Sequence, residues 1–269
     1  MFTSTKIIAA ITKTKIKVCV VKLGESSVIE KQEVYDWNAE SLATILQTIK
    51  KNFGPSIRIL FSDEFVYLTT VKIANPTAAT REAIKSVAQE LIPEDMNQTS
   101  WDYRVYPDYV QIVVLNKSIY SQITDAVKKA EIHIEAMEPY TTSLARLTTT
   151  EPDPFILLFY DENYFVVVMN KGVALTTEVI YTALTADHVE RLVHFSEEHF
   201  GLSIKKIIKT GSIGEIFTSD FFKDFKLSKM YPLFPQTKSP SPLFPAKPSF
   251  FTYIPGTSYY ISGNSGSVI

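Results

Sequence analysis

The sequence of 269 residues predicts an α/β protein made of two halves that share one plan. Each half opens with strand-sized runs of Ile, Val and aromatic residues that are separated by short polar turns. Each set of strands is followed by a stretch with apolar residues at helical spacing, and then by a further strand. A segment with two prolines, Thr148 to Pro154, separates the halves. We therefore predict domains at 1–150 and 151–230.

The first half begins with three strands that are predicted to form an antiparallel meander, because only short polar turns join them. Asn38 is the predicted N-cap of the helix that follows, and Gly54-Pro55 ends that helix. The predicted elements are strands Lys6 to Ile11, Ile16 to Leu23 and Val28 to Val34, a helix from Ala39 to Asn52, and a buried strand from Ser56 to Phe61.

An α+β segment follows at about 65–147. Its first helix has one apolar face and ends before Pro93. The predicted elements are a strand from Phe65 to Ile73, a helix from Thr80 to Leu91, a hairpin of Trp101 to Val105 with Val110 to Leu115, a helix from Ser118 to Ala130, a strand from Ile132 to Ala136, and a short helix from Pro139 to Leu147.

The second half is predicted to be shorter. Its helix has Thr185 as N-cap and Gly201 as C-terminal stop. The predicted elements are a hairpin of Phe155 to Tyr160 with Tyr164 to Met169, a strand from Val173 to Ile180, a helix from Thr185 to Phe200, a strand from Ser203 to Lys209, and a short helix from Phe217 to Phe225. Beyond it, 231–269 is rich in proline and aromatic residues, which predicts an arm or tail without regular structure.

Composition excludes several classes of function. The net charge of −2 is unlike the clustered positive charge of a nucleic-acid-binding surface. Cys19, the single cysteine, cannot form a disulfide within the chain and is expected to be a small buried apolar residue. No apolar run is long enough to span a membrane, and Met1 to Lys6 does not resemble the start of a targeting segment. We therefore expect a chain that is soluble or at most peripheral to a membrane, in a reducing compartment.

No catalytic residue or metal ligand is predicted. The sequence contains no Gly-x-Ser-x-Gly motif, no phosphate-binding loop of the Walker type and no Cys-x-x-Cys. His188, His194 and His199 share one predicted helix, but their spacing does not place them on one face. The pair Asp63-Glu64 is expected to lie in a solvated loop.

Two stretches resemble one protein family. Glu90-Leu91-Ile92-Pro93-Glu94-Asp95 precedes Trp101-Asp102-Tyr103-Arg104-Val105, and an apolar strand, a helix and Glu135 to Leu147 follow. In the second half, the helix from Thr185 to Phe200 precedes a strand that enters a glycine turn at Gly211. These features resemble the PilM-like proteins and the GspL-type cytoplasmic domains of type IV pilus and type II secretion machines. The resemblance covers about 6–230. It implies a duplicated actin-like (ribonuclease H-like) fold with an inserted α+β subdomain at about 65–147 in the first half and with a reduced second half.

The sequence departs from this family at the nucleotide-binding loops. The first loop of a working member is Asp-x-Gly-Ser-Ser, in which glycine lets backbone N–H groups reach the phosphates and the Asp helps to organise a hydrated metal ion. Here the stretch from Ala9 to Lys15 contains neither Asp nor Gly, and the second loop is the turn Asp161-Glu162-Asn163. The small subdomain that family members insert before the late helix is replaced by Tyr181 to Ala186. The alternative is an ATPase that binds ATP with Mg through a divergent site of Lys13, Lys15, Gly211 and Ser212.

The resemblance implies a non-catalytic scaffold at the inner face of the cytoplasmic membrane. Its partner would be the N-terminal cytoplasmic tail of a PilN-type membrane protein, held as an extended peptide in an apolar groove with backbone hydrogen bonds to a strand edge. The residues that correspond to the groove are Val71, Ile84, Val87, Trp101 and Tyr103. A third hypothesis is a structural subunit that pairs with copies of itself through its sheets.

Overall fold

The computed structural model describes residues 4–23, 28–73, 79–148, 151–210 and 220–229. Contacts within the chain divide these residues into two units, the first ending at Tyr140 and the second beginning at Thr141. The sequence places the boundary slightly later, and the domain limits at 150 and 230 remain predictions. The predicted arm at 231–269 lies outside the described residues.

The described part of the first unit contains eight strands and three helices. A fourth helix begins at the last residue of this unit. In chain order these elements are β1 (Ser4–Ile11), β2 (Lys15–Leu23), β3 (Val28–Asp36), α1 (Leu42–Phe53), β4 (Ser56–Phe61), β5 (Val66–Val71), α2 (Arg81–Leu91), β6 (Thr99–Val105), β7 (Val110–Asn116), α3 (Lys117–Ala130), β8 (His133–Pro139) and α4 (Tyr140–Ala145).

The main sheet of this unit has the order β3-β2-β1-β4-β8. The first three strands form the predicted antiparallel meander, whereas β4 lies parallel to β1 and β8 lies parallel to β4. Helices α1 and α3 pack against each other beside this sheet. Their apolar faces and the inward-facing strand residues form one buried core, which includes Ile11, Ile16, Leu46, Ile59, Phe61 and Ile123.

The strands of the predicted inserted subdomain are β5, β7 and β6, and helix α2 covers them. Strand β7 pairs antiparallel with β5 on one side and with β6 on the other. Thr80 caps α2, because its side chain accepts a hydrogen bond from the Ala83 N–H. The apolar face of α2 packs on the sheet and forms a second buried cluster that includes Val71, Ile84, Ala88, Val110, Ile112 and Val114.

The second unit repeats the strand order of the first. Its described elements are β9 (Phe155–Asp161), β10 (Asn163–Asn170), β11 (Val173–Ile180), α5 (Ala186–Phe200), β12 (Lys206–Thr210) and β13 (Lys226–Lys229). Strands β9, β10 and β11 form an antiparallel meander. Strand β12 lies parallel to β9, and β13 lies parallel to β12. Both units therefore add two parallel strands to a three-stranded meander, which is the duplication that the sequence predicts.

The sequence prediction differs from the structure at several elements. Strand β8 continues to Pro139 instead of ending at Ala136, and β12 begins at Lys206 instead of Ser203. Helix α1 begins at Leu42 instead of Ala39, because the Asn38 side chain accepts hydrogen bonds from the Glu40 and Ser41 N–H groups and so closes a turn before the helix. In the predicted helix from Phe217 to Phe225, the described part holds only a short 3₁₀ turn at Asp220–Phe222. Strand β13 follows this turn, and its alternation of Lys with Leu and Ser gives a weak strand signal.

A carboxylate ties three strands of the main sheet together. Glu135 on β8 accepts hydrogen bonds from Lys6 Nζ on β1 (2.8 Å) and from Ser56 Oγ (3.0 Å) and Arg58 Nε (3.3 Å) on β4. Burial raises the pKa of Glu135, but the hydrogen bonds and the charge of Lys6 lower it by more, so the pKa lies below its ordinary value. A depressed pKa stabilises the fold above the pKa of the unfolded chain, and this contribution is lost as the pH falls through the folded-state pKa.

We expect Glu135→Gln to lower the free energy of unfolding by about 1 kcal/mol at pH 7, because the network is partly buried and charge-assisted. The difference from the wild type should disappear at an acidic pH below the depressed folded-state pKa of Glu135, where the carboxylate of the wild type is protonated. Urea unfolding at the two pH values measures both effects. Glu131→Gln is the matched control, since its ion pair with Lys50 is exposed and should contribute nothing measurable. An equal loss for both variants would contradict the prediction.

Candidate functional site

The turn between β1 and β2 occupies the position of the first phosphate-binding loop that the family resemblance implies. Thr12 is fully buried at its start. The Thr12 hydroxyl oxygen accepts hydrogen bonds from the N–H groups of Lys15 (2.9 Å) and Thr14 (3.4 Å), and the Thr12 N–H donates to the Lys15 carbonyl oxygen (2.9 Å). The turn thus uses its own side chain to bind two N–H groups that a phosphate would need.

Two further side chains close the same turn. Glu64 Oε2 accepts a hydrogen bond from the Lys13 N–H (3.4 Å) and another from Ser62 Oγ (3.0 Å). Trp37 donates its indole N–H to the Thr12 carbonyl oxygen (2.9 Å). A carboxylate therefore lies where an anion would have to approach the turn, and the like charge repels phosphate. The expectation of a solvated loop at Asp63-Glu64 is wrong for Asp63, which is 4% exposed.

Two of the four candidate nucleotide-binding residues, Lys13 and Lys15, lie at this turn. Lys13 is exposed and Lys15 is half-buried. Gly211 and Ser212 lie outside the described residues. The second candidate loop is a tight turn between β9 and β10. Its central residue is Glu162 instead of a glycine, although the φ of 65° at this position is one that glycine usually adopts. This turn confirms the prediction that Asp161-Glu162-Asn163 connects two hairpin strands.

The five candidate groove residues all belong to the cluster between α2 and the β5-β7-β6 sheet. Ile84 has no exposed surface and Val71 is 9% exposed, so both support the surface from beneath. Val87, Trp101 and Tyr103 are half-buried at the edge of the cluster, where a ligand can contact them. The rings of Trp101 and Tyr103 are stacked with their centroids 6.1 Å apart.

Arg81 and Asp102 join this surface and were missed by the sequence analysis. The Arg81 guanidinium lies over the Trp101 ring, with Cζ 4.1 Å from its centroid. Nη1 donates to Asp102 Oδ1 (3.3 Å), and Nη2 donates to the Trp101 carbonyl oxygen (3.1 Å). The only available signal was an Arg in the first turn of a helix, where the helix dipole favours acidic residues. That position indicates that Arg81 has a partner outside its own helix.

Asp102 is a buried carboxylate with an incomplete set of partners. It is 4% exposed, and its Oδ2 has no hydrogen-bond partner among the described residues. Burial raises the pKa of Asp102 by more than the Tyr103 N–H and Arg81 lower it, so the pKa lies above its ordinary value. Arg81 thus compensates this charge only in part.

The structure gives no further indication of a metal site or a membrane-spanning element within the part of the chain that it describes. No group of three or more His, Cys, Asp or Glu side chains in that part is arranged to hold a metal ion. None of the described helices is both long enough and apolar enough to cross a bilayer. Burial raises the pKa of the Cys19 thiol to about 12, which makes this thiol unreactive.

The sequence matches no protein-family model and no curated protein. Its structure, however, resembles solved structures over most of their length. The cytoplasmic domain of EpsL, an inner membrane component of the type II secretion system of Vibrio cholerae, aligns with a TM-score of 0.60 and 12% identity, covering 86% of this chain and 91% of that one. A chain of the PilM-PilN type IV pilus biogenesis complex aligns with a TM-score of 0.60 and 13% identity, covering 84% and 88%.

A third structure bears on the fold alone. A protein of unknown function from Bacteroides thetaiotaomicron, with an actin-like ATPase fold, aligns with a TM-score of 0.56 and 10% identity, covering 86% of this chain and 92% of that one. The three alignments agree with the repeated strand order of the two units. The chain therefore has an actin-like α/β fold of the kind found in PilM and in the cytoplasmic domain of EpsL.

Proposed function

We propose that this chain is a non-catalytic scaffold of a type IV pilus or related secretion machine. It works in the cytoplasm at the inner face of the membrane and binds the N-terminal tail of a PilN-type membrane protein. The structural likeness to EpsL and to the PilM-PilN complex supports the machine and the class of partner. We also propose that the chain uses no nucleotide cofactor.

The closed turn between β1 and β2 is the observation that carries this proposal. A phosphate-binding loop needs N–H groups that point at the ligand and a site free of negative charge. Here the hydroxyl oxygen of Thr12 and the carboxylate of Glu64 accept hydrogen bonds from those N–H groups. Binding a phosphate would require both side chains to leave, and the carboxylate would still repel the anion. The fold thus keeps its architecture while its first loop serves as a structural turn.

The surface formed by Val87, Trp101 and Tyr103 supports the second part of the proposal. Large aromatic side chains that are only half-buried are typical anchors of a protein interface. They lie on the rigid support of the buried cluster beneath α2. An extended apolar tail can therefore be held by side-chain contacts here and by backbone hydrogen bonds to the adjacent strand edge.

Calorimetric titration with synthetic peptides of PilN-type N-terminal tails tests the proposal. We expect one peptide to bind, and we expect Trp101→Ala to weaken its Kd at least tenfold, which corresponds to about 1.4 kcal/mol. Tyr181→Ala is the control, because this exposed tyrosine lies in the other unit and should leave the Kd unchanged. Equal weakening by both variants, or binding by none of the peptides, would count against the proposed partner.

Thermal unfolding with millimolar Mg-ATP tests the non-catalytic part separately. We expect no change in Tm, because the β1–β2 turn offers no site for phosphate. A ligand present at a hundred times its Kd would stabilise the fold by about 2.7 kcal/mol and raise Tm by a few degrees. Such a rise would favour the alternative, a divergent ATPase that uses Lys13 and Lys15.

A further inference from the structure

The Arg81 guanidinium is held in place on the surface that the proposed function assigns to the peptide tail. It lies over two rings, with Cζ 4.1 Å from the centroid of Trp101 and 5.7 Å from that of Tyr103. Nη1 donates to Asp102 Oδ1, and Nη2 donates to the Trp101 carbonyl oxygen. These contacts restrict the rotamers of a side chain that is still 42% exposed. Arg81 is therefore preorganised at a place that a ligand can reach.

Most hydrogen-bond donors of this guanidinium are unused within the part of the chain that the structure describes. An arginine side chain has five N–H donors in one plane. Asp102 and the Trp101 carbonyl oxygen take one donor each, so three donors of Arg81 have no partner among the described residues. A planar fork of free N–H groups matches a carboxylate, which can accept two parallel hydrogen bonds from it.

The charges next to Arg81 also favour an anion. Glu82 follows Arg81 on α2, and Lys85 lies one turn further along on the same side of the helix. Asp102 and Arg104 are the charged residues of β6. The set of Arg81, Lys85 and Arg104 against Glu82 and Asp102 has three positive and two negative charges, a net charge of +1. An incoming carboxylate therefore meets an excess of positive charge.

The free donors lie beside the apolar part of the same surface. Trp101 and Tyr103 are half-buried, and Arg81 covers one part of their rings. A complementary peptide thus needs an apolar side chain for the remaining ring surface and a carboxylate for Arg81. In an extended peptide, side chains two residues apart lie on one face at a distance of about 7 Å. That spacing suits a carboxylate on Arg81 and an apolar side chain on Trp101.

We propose that Arg81 binds a carboxylate of the tail, which carries Asp or Glu two residues from the apolar side chain that contacts Trp101. This inference rests on the proposed function and names the chemistry of the partner at the same site. The carboxylate accepts two charge-assisted hydrogen bonds from Arg81, whereas an amide offers one acceptor oxygen and no charge. Because Arg81 is already fixed by its contacts, its binding costs little side-chain entropy.

Calorimetric titration of the full chain tests the inference through the ligand alone. The probes are the PilN-type tail peptide that binds and copies of it in which each Asp is replaced by Asn, or each Glu by Gln, one at a time. We expect one of these replacements to weaken the Kd about tenfold, because it removes charge-assisted hydrogen bonds. The difference between the two peptides should shrink at high salt, since the ion pair is partly exposed.

Two protein variants assign this preference to Arg81. Asp102→Asn keeps an oxygen that can accept from Arg81 Nη1, and it removes the buried charge that Arg81 compensates. Arg81→Gln can then be added without leaving that charge unpaired. We expect Asp102→Asn to keep the preference for the acidic peptide and the double variant to bind both peptides equally. Arg191→Gln is the matched control, because it removes an exposed arginine of the other unit and should keep the preference.

Three results would overturn the inference, and they are distinguishable from one another. A tail peptide that binds with a Kd that no acidic replacement changes would leave the proposed function standing and remove the role of Arg81. A preference for the acidic peptide that the double variant retains would assign the carboxylate to another residue. Binding by none of the peptides would overturn the proposed function and this inference together. Circular dichroism of each variant establishes that it is folded.

Discussion

Replacing Ile84 by alanine is expected to lower the free energy of unfolding by about 2–5 kcal/mol. Ile84 has no exposed surface and lies at the centre of the cluster between α2 and the β5-β7-β6 sheet. The truncation removes apolar contacts and leaves a cavity, because the strands on one side and the helix on the other cannot both move inward. Urea unfolding measures the loss as a lower midpoint with an unchanged slope.

Comparing Ile84→Ala with Val87→Ala on the same helix separates an effect on the free energy of unfolding from an effect on ligand binding. Val87 is half-buried at the edge of the cluster, so its truncation should cost under half as much stability as that of Ile84. Under the proposed function, Val87→Ala should weaken binding of the PilN-type tail, because this side chain contacts the ligand. A stability loss for Val87→Ala as large as for Ile84→Ala would show that the cluster extends further outward than the structure indicates.

Arg81→Ala is expected to destabilise the chain by about 1–3 kcal/mol at pH 7. The variant leaves the buried Asp102 carboxylate without its cation and removes the stacking of the guanidinium on Trp101. We place the effect below that of a fully buried pair, because the Arg81 side chain is 42% exposed. In the Arg81→Ala background, Asp102→Asn should restore most of the loss, since the amide carries no charge that needs compensation.

The pH dependence of this pair follows from the direction of the Asp102 pKa. Burial holds the pKa of Asp102 above its value in the unfolded chain, so the folded state binds the proton more tightly. Ionisation of Asp102 therefore costs stability above the folded-state pKa, and this cost disappears as the pH falls below the unfolded-state pKa. Without Arg81 the pKa rises further. The loss caused by Arg81→Ala should thus be largest at neutral pH and shrink on acidification.

Urea unfolding of the wild type, both single variants and the double variant at pH 7 and pH 4 tests these expectations together. The coupling energy between Arg81 and Asp102 should be clear at pH 7 and smaller at pH 4. A loss for Arg81→Ala that is the same at both pH values, and that Asp102→Asn does not reduce, would assign it to the stacking on Trp101 instead of the charge.

The sequence by itself determined the α/β class and the order of most elements. Strand β4 has the predicted limits, Ser56–Phe61, because a short apolar run between Gly54-Pro55 and a polar loop leaves little choice. Helix α5 was predicted with its caps, since Thr185 and Gly201 fix both ends by local hydrogen bonds and a left-handed turn at Gly201 with a φ of 63°. These helix and strand limits are set by residues that are adjacent in the sequence, so they can be predicted from the sequence alone.

Only the tertiary structure decided what surrounds the candidate sites. Because Asp and Gly are missing, we predicted that the β1–β2 turn does not bind phosphate. The contacts of Glu64 and Trp37 with that turn join residues that are far apart in the sequence, so the sequence did not predict them. The groove residues were predicted as a group, whereas the depth of Ile84 and the exposure of Trp101 were set by how α2 lies on its sheet. Arg81 and Asp102 meet only because α2 folds back over β6. The spacing of apolar residues along the chain indicates which face of a helix or strand is buried. The packing of helices against strands decides which side chains come into contact.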